Sequence, residues 1–242
     1  TPYDLTQVPF TVPPSKQNNI GLLMTAHKVS WKYYGEGWDG GKEDGPAGLG
    51  LFCNICDPFL YSTQIMTNPK LRANNQDLSG LYTDLTNSTL PAVSIVKPDG
   101  LLDGHPASSK LDLFEAFCKK IVDAVQANPL YATNTAVLIT FDEGGGYWDS
   151  GYIQPLDFFG DGTRIPLIVV SPFSTGGKVV HTYYDHVSFD KFVEANWLIK
   201  KKISKISRDN LPNPIQNSSN PYVPTNGPAI GDLMDMFTFP SS

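Results

Sequence analysis

The stretch that most restricts this chain runs from Thr135 to Asp149, "TAVLITFDEGGGYWD". It opens as apolar, β-branched residues, the composition of a buried strand. It then ends on two adjacent carboxylates, Asp142 and Glu143, followed by Gly144, Gly145 and Gly146. Burying a carboxylate costs several kcal/mol unless it is paired, hydrogen-bonded or metal-bound. A strand that ends this way belongs where a sheet meets solvent or a ligand.

The rest of the pattern alternates strand and helix. Residues 19–28 read as a short helix and 29–35 as a strand. "LPAVSIVKP" (90–98) and "RIPLIVVSP" (164–172) read as further buried strands. The clearest helix is 110–129, with Leu111, Phe114, Phe117, Ile121, Val122 and Val125 at three- and four-residue spacings. Ser108 or Ser109 is its expected cap, and Pro129 lies just past its end. A last helix spans 185–201, capped by Asp185. Continuous apolar strands between helices imply an α/β sheet covered on both faces, with ligands beyond the carboxyl ends of the strands. Asp142 and Glu143 fall at that rim, and His105 in "DGHPAS" follows the 90–98 strand toward it. No repeat or domain boundary is visible, so residues 1–242 read as a single α/β unit, with a Pro/Asn-rich tail (207–242) wrapping it.

Two carboxylates leaving a strand can reach one divalent ion once glycines break the strand, and glycines let a substrate approach the backbone. That pattern suits a metal holding an anionic substrate such as a phosphate. The competing reading has Asp142 and Glu143 capping a solvated turn. A two-carboxylate glycosidase is disfavoured, because adjacent residues rarely straddle a sugar at the roughly 5–9 Å that chemistry needs. Taken alone, His105 reads as well as a structural hydrogen-bonder. His27, His181 and His186 read as structural, and Arg164 as the partner of a carboxylate. Asp157 and Asp161 form a weak calcium-loop pattern without EF-hand spacing.

With 18 basic and 24 acidic residues the net charge is −6, which gives no electrostatic footprint for nucleic acid. No apolar run approaches the ~20 residues of a membrane span. The first residues lack the basic start and apolar core of a signal peptide. Cys53 and Cys56 form one C-x-x-C, which fits a local disulfide, a redox pair or half a zinc site; Cys118 stands alone in a helical pattern.

Together, "VSWKYYGEGW", "DGHPASS", "TAVLITFDEGGGYWD", "GDGTRIPLIVVSPFS" and "YYDHVSFDKFVEANW" occur in an order that resembles the phosphoesterase family of bacterial and fungal phospholipases C and acid phosphatases. The resemblance runs from about Ile20 to Phe239. It implies a three-layer α/β/α sandwich with a mostly parallel sheet, similar to alkaline phosphatase. It implies a metal on Asp142 and Glu143, phosphate contact by His105, and substrate contact by Asp57 and Tyr147. The ion is a divalent metal, zinc ahead of calcium, magnesium or manganese.

The family also carries an upstream Glu-Asn metal motif and a Ser or Thr nucleophile, and this chain has no Glu-Asn dipeptide. The resemblance therefore makes it the C-terminal part of a larger phosphoesterase domain, partnered by an upstream segment of the same protein. Acid phosphatases of the family place His-His before Gln-Pro-Phe. Here "CNICDPF" puts Ile55, Cys56 and Asp57 at the corresponding positions, which leans toward phospholipase C acting on phosphatidylcholine-like diesters. Trp31, Tyr33, Tyr34, Trp38, Tyr147 and Trp148 could hold a choline head group by cation–π contact, or simply pack. A phosphomonoesterase, and a non-catalytic half that binds a head group or partner chain, are the alternatives. The family points to a secreted or periplasmic location. Asn87 and Asn217 lie in glycosylation sequons.

Overall fold

A computed structural model describes residues 14–38, 52–151, 158, 160–174, 176–197, 199–215 and 227–239. The segments 1–13 and 39–51, together with Asp157 and Asn217, lie outside the described residues. The chain divides into two compact units, Thr1–Tyr131 and Ala132–Ser242.

In the first unit, α1 (Ile20–Ala26) is capped by Asn19, whose side chain accepts the Leu22 N–H at 3.1 Å. It leads into β1 (Trp31–Gly35), the middle strand of a parallel sheet flanked by β2 (Asn75–Gln76) and β3 (Val93–Lys97). The register pairs Tyr33 with Asn75, and Trp31 with Val93 through Gly35 with Lys97. Being central, β1 buries its aromatics: Trp31, Tyr33 and Tyr34 are all 3% exposed or less. Trp31 and Tyr33 pack on Phe59 with ring centres 4.6 and 6.2 Å away. Trp38 is buried too. These four aromatics are core, which is the packing side of the choline alternative.

Cys53 and Cys56 form a disulfide across one 3-10 turn, Asn54–Cys56, which resolves the C-x-x-C as a local bridge. Three helices absent from the sequence-based pattern follow: α2 (Thr63–Met66), α3 (Pro69–Arg72) and α4 (Leu78–Asn87). They are short, and side-chain caps mark α3 and α4: Asn68 accepts from Lys70 N–H and Asp77 from Ser79 N–H. The α4 helix carries Asp84, which accepts from Lys32 on β1, from Tyr34 at 2.6 Å and from Thr89 at 2.6 Å. Burial alone would raise the Asp84 pKa; these donors outweigh it and hold the carboxyl below its usual range. The long helix α5 (Leu111–Ala127) ends before Pro129 as expected. Its cap is not the expected one. Ser109 Oγ donates to the Leu101 carbonyl at 2.6 Å instead, and Lys110 stands at the N-cap without a side-chain bond.

In the second unit, β4 (Val137–Thr140) and β5 (Leu167–Val170) pair antiparallel, Val137 with Val170 and Thr140 with Leu167. Both strands are half-buried rather than fully covered, and Ile168 is exposed. Helix α6 (Val187–Asn196) is shorter than the expected 185–201 and has His186 at its N-cap; Asp185, the expected cap, lies one residue earlier, with its Oδ1 accepting the Val187 N–H at 2.8 Å. Near the chain end, Phe237 stacks between Phe192 and Phe239, and Leu233 and Ile230 are fully buried. The "DLMDMF" segment thus docks its apolar side chains. The mixed α/β class and the parallel three-stranded sheet agree with expectation; β4–β5 is the antiparallel departure, a direction that side-chain periodicity does not encode. No helix among the described residues is long and apolar enough to cross a membrane.

Candidate active site

The acidic pair follows directly on β4. The regular ladder stops at Thr140, whose Oγ1 donates to the Pro166 carbonyl at 2.8 Å. Phe141 comes next, and His186 Nε2 lies 3.1 Å from its carbonyl oxygen. Asp142 and Glu143 are both exposed. Asp142 makes no carboxylate hydrogen bond among the described residues, whereas Glu143 accepts the Gly145 N–H. Tyr147 N–H donates to the Gly144 carbonyl at 3.0 Å, closing a turn. Gly145 and Gly146 carry φ of 59° and 74°, the left-handed region that favours glycine. At Gly144 a Cβ would lie 2.4 Å from Thr163 Oγ1, so a side chain there would require the Thr163 hydroxyl to move.

The far side of the loop is clamped. Asp149 accepts from Ser150 N–H, from Arg164 N–H at 2.5 Å and from Arg164 Nε at 3.1 Å. The Arg164 backbone N–H, helped by Ser150 and the guanidinium, holds the Asp149 carboxyl down at about 2. Arg164 is therefore a carboxylate partner, as its sequence context implied. Tyr147 is 57% exposed and Trp148 95% exposed on the same loop. Asp161, nearby, has its pKa raised by burial and by Asp185, against the Gly162 N–H, Arg208 and His186.

His105 and Asp57 belong to the first unit. His105 is exposed on the loop after β3, following Gly104 at φ 80°. Its backbone N–H donates to Asp103 Oδ1 at 2.9 Å, and its Nδ1 accepts the Ala107 N–H at 3.2 Å. With Nδ1 as acceptor, Nε2 is the donor of the neutral ring. Asp103 is itself held by Lys97 Nζ at 2.7 Å.

Asp57 is fully buried. Its Oδ1 accepts the Phe59 N–H at 2.9 Å and its Oδ2 the Asn75 side-chain amide at 2.7 Å. Burial pushes its pKa up to about 7, against the Phe59 and Leu60 N–H groups. Both of its oxygens are occupied by the fold.

Asp142, Glu143 and Tyr147 thus share one loop of the second unit, while His105 and Asp57 occupy separate segments of the first. Among the described residues no three His, Cys, Asp or Glu side chains gather closely enough to hold a metal. Oxygen donors of the acidic pair suit a hard or borderline divalent cation. They fit as part of a coordination shell and fall short of the four donors zinc takes. Two features went unread in the sequence. One is the identity of the carboxylate that Arg164 pairs with, Asp149, which closes the loop. The other is His186 on the carbonyl next to Asp142; its signal was a histidine at a helix start, which reads first as structural.

A sequence profile of the Phosphoesterase family matches residues 4–200. The chain belongs to the phosphoesterase family. Within it, the chain is 32% identical over 144 residues to Phospholipase C B of Mycobacterium tuberculosis, covering 47% of this chain and 26% of that protein. It is 29% identical over 143 residues to Non-hemolytic phospholipase C of Burkholderia pseudomallei, covering 48% of this chain and 20% of that protein. Against Probable acid phosphatase of Kluyveromyces lactis the identity is 25% over 194 residues, 78% of this chain and 44% of that protein. The chain therefore spans less than half the length of each of these relatives.

Proposed function

We propose that this chain is part of a metal-dependent phosphate ester hydrolase, a phospholipase C acting on phosphatidylcholine-like phosphodiesters. The observation that carries the reading is the exposed Asp142–Glu143 pair on a glycine turn at the end of β4, in a chain of the phosphoesterase family. In this reading Asp142 and Glu143 supply oxygen ligands to a divalent ion, with zinc preferred over calcium, magnesium or manganese. Further ligands and the hydroxyl nucleophile come from an upstream segment of the same protein. Bound there, such an ion neutralises charge developing on the phosphoryl oxygens. His105 donates through Nε2–H to a phosphoryl oxygen, where charge accumulates as the ester bond breaks. Tyr147, exposed on the acidic loop, offers an aromatic face to the substrate's cationic group. The burial of Asp57 favours a supporting role for it, under the disulfide turn, over direct substrate contact. A secreted or periplasmic site of action accords with the Cys53–Cys56 bridge.

A phosphomonoesterase is the second reading, supported by the acid phosphatase among the relatives that this chain resembles. The deciding experiment compares p-nitrophenyl phosphorylcholine with p-nitrophenyl phosphate, in the protein with its upstream segment present, with zinc and then with chelator. Chelator-sensitive turnover of the phosphocholine ester is expected. Preference for the monoester would select the second reading. Turnover unaffected by chelator would remove the metal from both.

A further inference from the structure

We infer that His186 is a positioning residue for Asp142, an inference resting on the reading of Asp142 as a metal ligand. The β4–β5 ladder ends at Thr140, paired with Leu167. Just past it, His186 Nε2 sits 3.1 Å from the Phe141 carbonyl oxygen, in the peptide that leads into Asp142, and so ties the backbone from which Asp142 presents its carboxylate. A carbonyl only accepts, so Nε2 carries the proton of that bond.

The imidazole can serve as an anchor because its own base is held. Asp185, the preceding residue, is fixed from three directions. Its Oδ1 accepts the Val187 N–H at 2.8 Å, its Oδ2 takes Arg208 Nη2 at 2.7 Å, and its N–H donates to Ser188 Oγ at 3.2 Å. The bonded path thus runs from Arg208 through Asp185 and the first turn of α6 to His186, and on to Phe141. On the other side of Asp142, the Glu143–Gly145 bond and the Tyr147–Gly144 bond fix the glycine turn. Asp142 therefore sits between two anchored peptides with its own carboxylate uncommitted among the described residues. Outer groups that orient a ligand in this way typically change metal affinity 10–100-fold when removed.

The test uses the protein with its upstream segment present, carrying His186→Ala or His186→Gln, the latter keeping an amide that can donate to the Phe141 carbonyl. Two quantities are read: amide hydrogen exchange by peptide, and Mn2+ affinity by electron paramagnetic resonance. The expected result is faster exchange over residues 141–145 in His186→Ala, unchanged exchange over the 191–196 end of α6, and Mn2+ binding weakened by about tenfold. His186→Gln should restore both. Unchanged exchange over 141–145 would overturn the inference. So would equal acceleration along all of α6, which a merely structural histidine would give. If the exchange pattern holds while even the unsubstituted protein, upstream segment included, binds no Mn2+, the positioning of Asp142 stands and the reading of the acidic pair as metal ligands falls.

Discussion

Asp142 and Asp57 are both carboxylates at the edge of an apolar segment, and the two regions treat them in opposite ways. At the end of β4, Asp142 is exposed and accepts no hydrogen bond from any described residue, although the peptides on either side of it are tied down. Under the Cys53–Cys56 turn, Asp57 is fully buried, with each oxygen bonded to a fixed donor. One region spends its bonds on backbone and leaves a side chain free. The other spends the side chain itself on the fold. An open carboxylate on anchored backbone is what ligand binding needs, and a saturated buried one is what packing needs.

The largest effect separates the two on activity. Asp142→Asn in the complete protein should lower turnover of p-nitrophenyl phosphorylcholine by roughly a hundredfold or more, beyond the range seen for outer groups, with little change in melting temperature. Unaltered turnover would make Asp142 a solvated turn residue and erase the contrast. Asp57→Ala should do the reverse. It leaves the Phe59 N–H and the Asn75 amide buried without acceptors, at a cost of about 1–3 kcal/mol each. Urea unfolding should show that loss in its midpoint. An Asp57→Ala protein of undiminished stability would show that the bonds around it are dispensable.

A smaller effect is expected at the disulfide above Asp57. A bridge that closes only a four-residue loop removes little entropy from the unfolded chain, on the order of 2 kcal/mol. Cys53→Ser should lower the unfolding midpoint by less than Asp57→Ala does. A larger drop would mean that the bridge, and not the buried carboxylate, holds this corner together.

How far the sequence spoke for each region follows from the same physics. The regular elements with one continuous apolar stripe or run, α5, α6, β1, β3, β4 and β5, were legible because periodicity reports burial directly. The helices α2 to α4 were not. Each is short, and α3 and α4 begin at Asn68 and Asp77, caps that also suit ordinary turns. The antiparallel pairing of β4 with β5 was illegible because side-chain alternation carries no strand direction. In the candidate site, the acidic pair stood out by its chemistry against the apolar run before it. The state of Asp57 did not stand out, because only the fold reveals that Asn75 lies across from it. The Asp149–Arg164 clamp joins residues fifteen positions apart through a loop, a pairing no local pattern announces.

A second closed carboxylate, in the other unit, sharpens the comparison through pH. Glu194 and Asp209 are 3% and 1% exposed, and Glu194 Oε1 and Asp209 Oδ1 are buried without a hydrogen-bond partner among the described residues. Lys202 pairs with Glu194, and the Ile203 N–H donates to Asp209 at 2.9 Å. Burial, reinforced by Asp209 and opposed by Lys202, pushes Glu194 up to about 7, while donors including Ser207 and Ile203 hold Asp209 below its usual range despite its burial. Of the two acids, Glu194 is therefore the one that keeps a proton to higher pH. A carboxyl raised in the folded state binds its proton more tightly there than in the unfolded chain. Its contribution is complete below the unfolded value near 4.5 and is lost as pH rises through about 7. Asp57, also raised to about 7, adds to the same slope. The melting temperature should fall by a few degrees between pH 5 and pH 8, and Glu194→Gln, which cannot ionise, should flatten part of that fall. Asp142→Asn should leave the slope untouched. If Glu194→Gln melts with the same pH dependence as the parent, Glu194 does not carry that slope, and the closed carboxylates of this protein differ from the open one only in exposure.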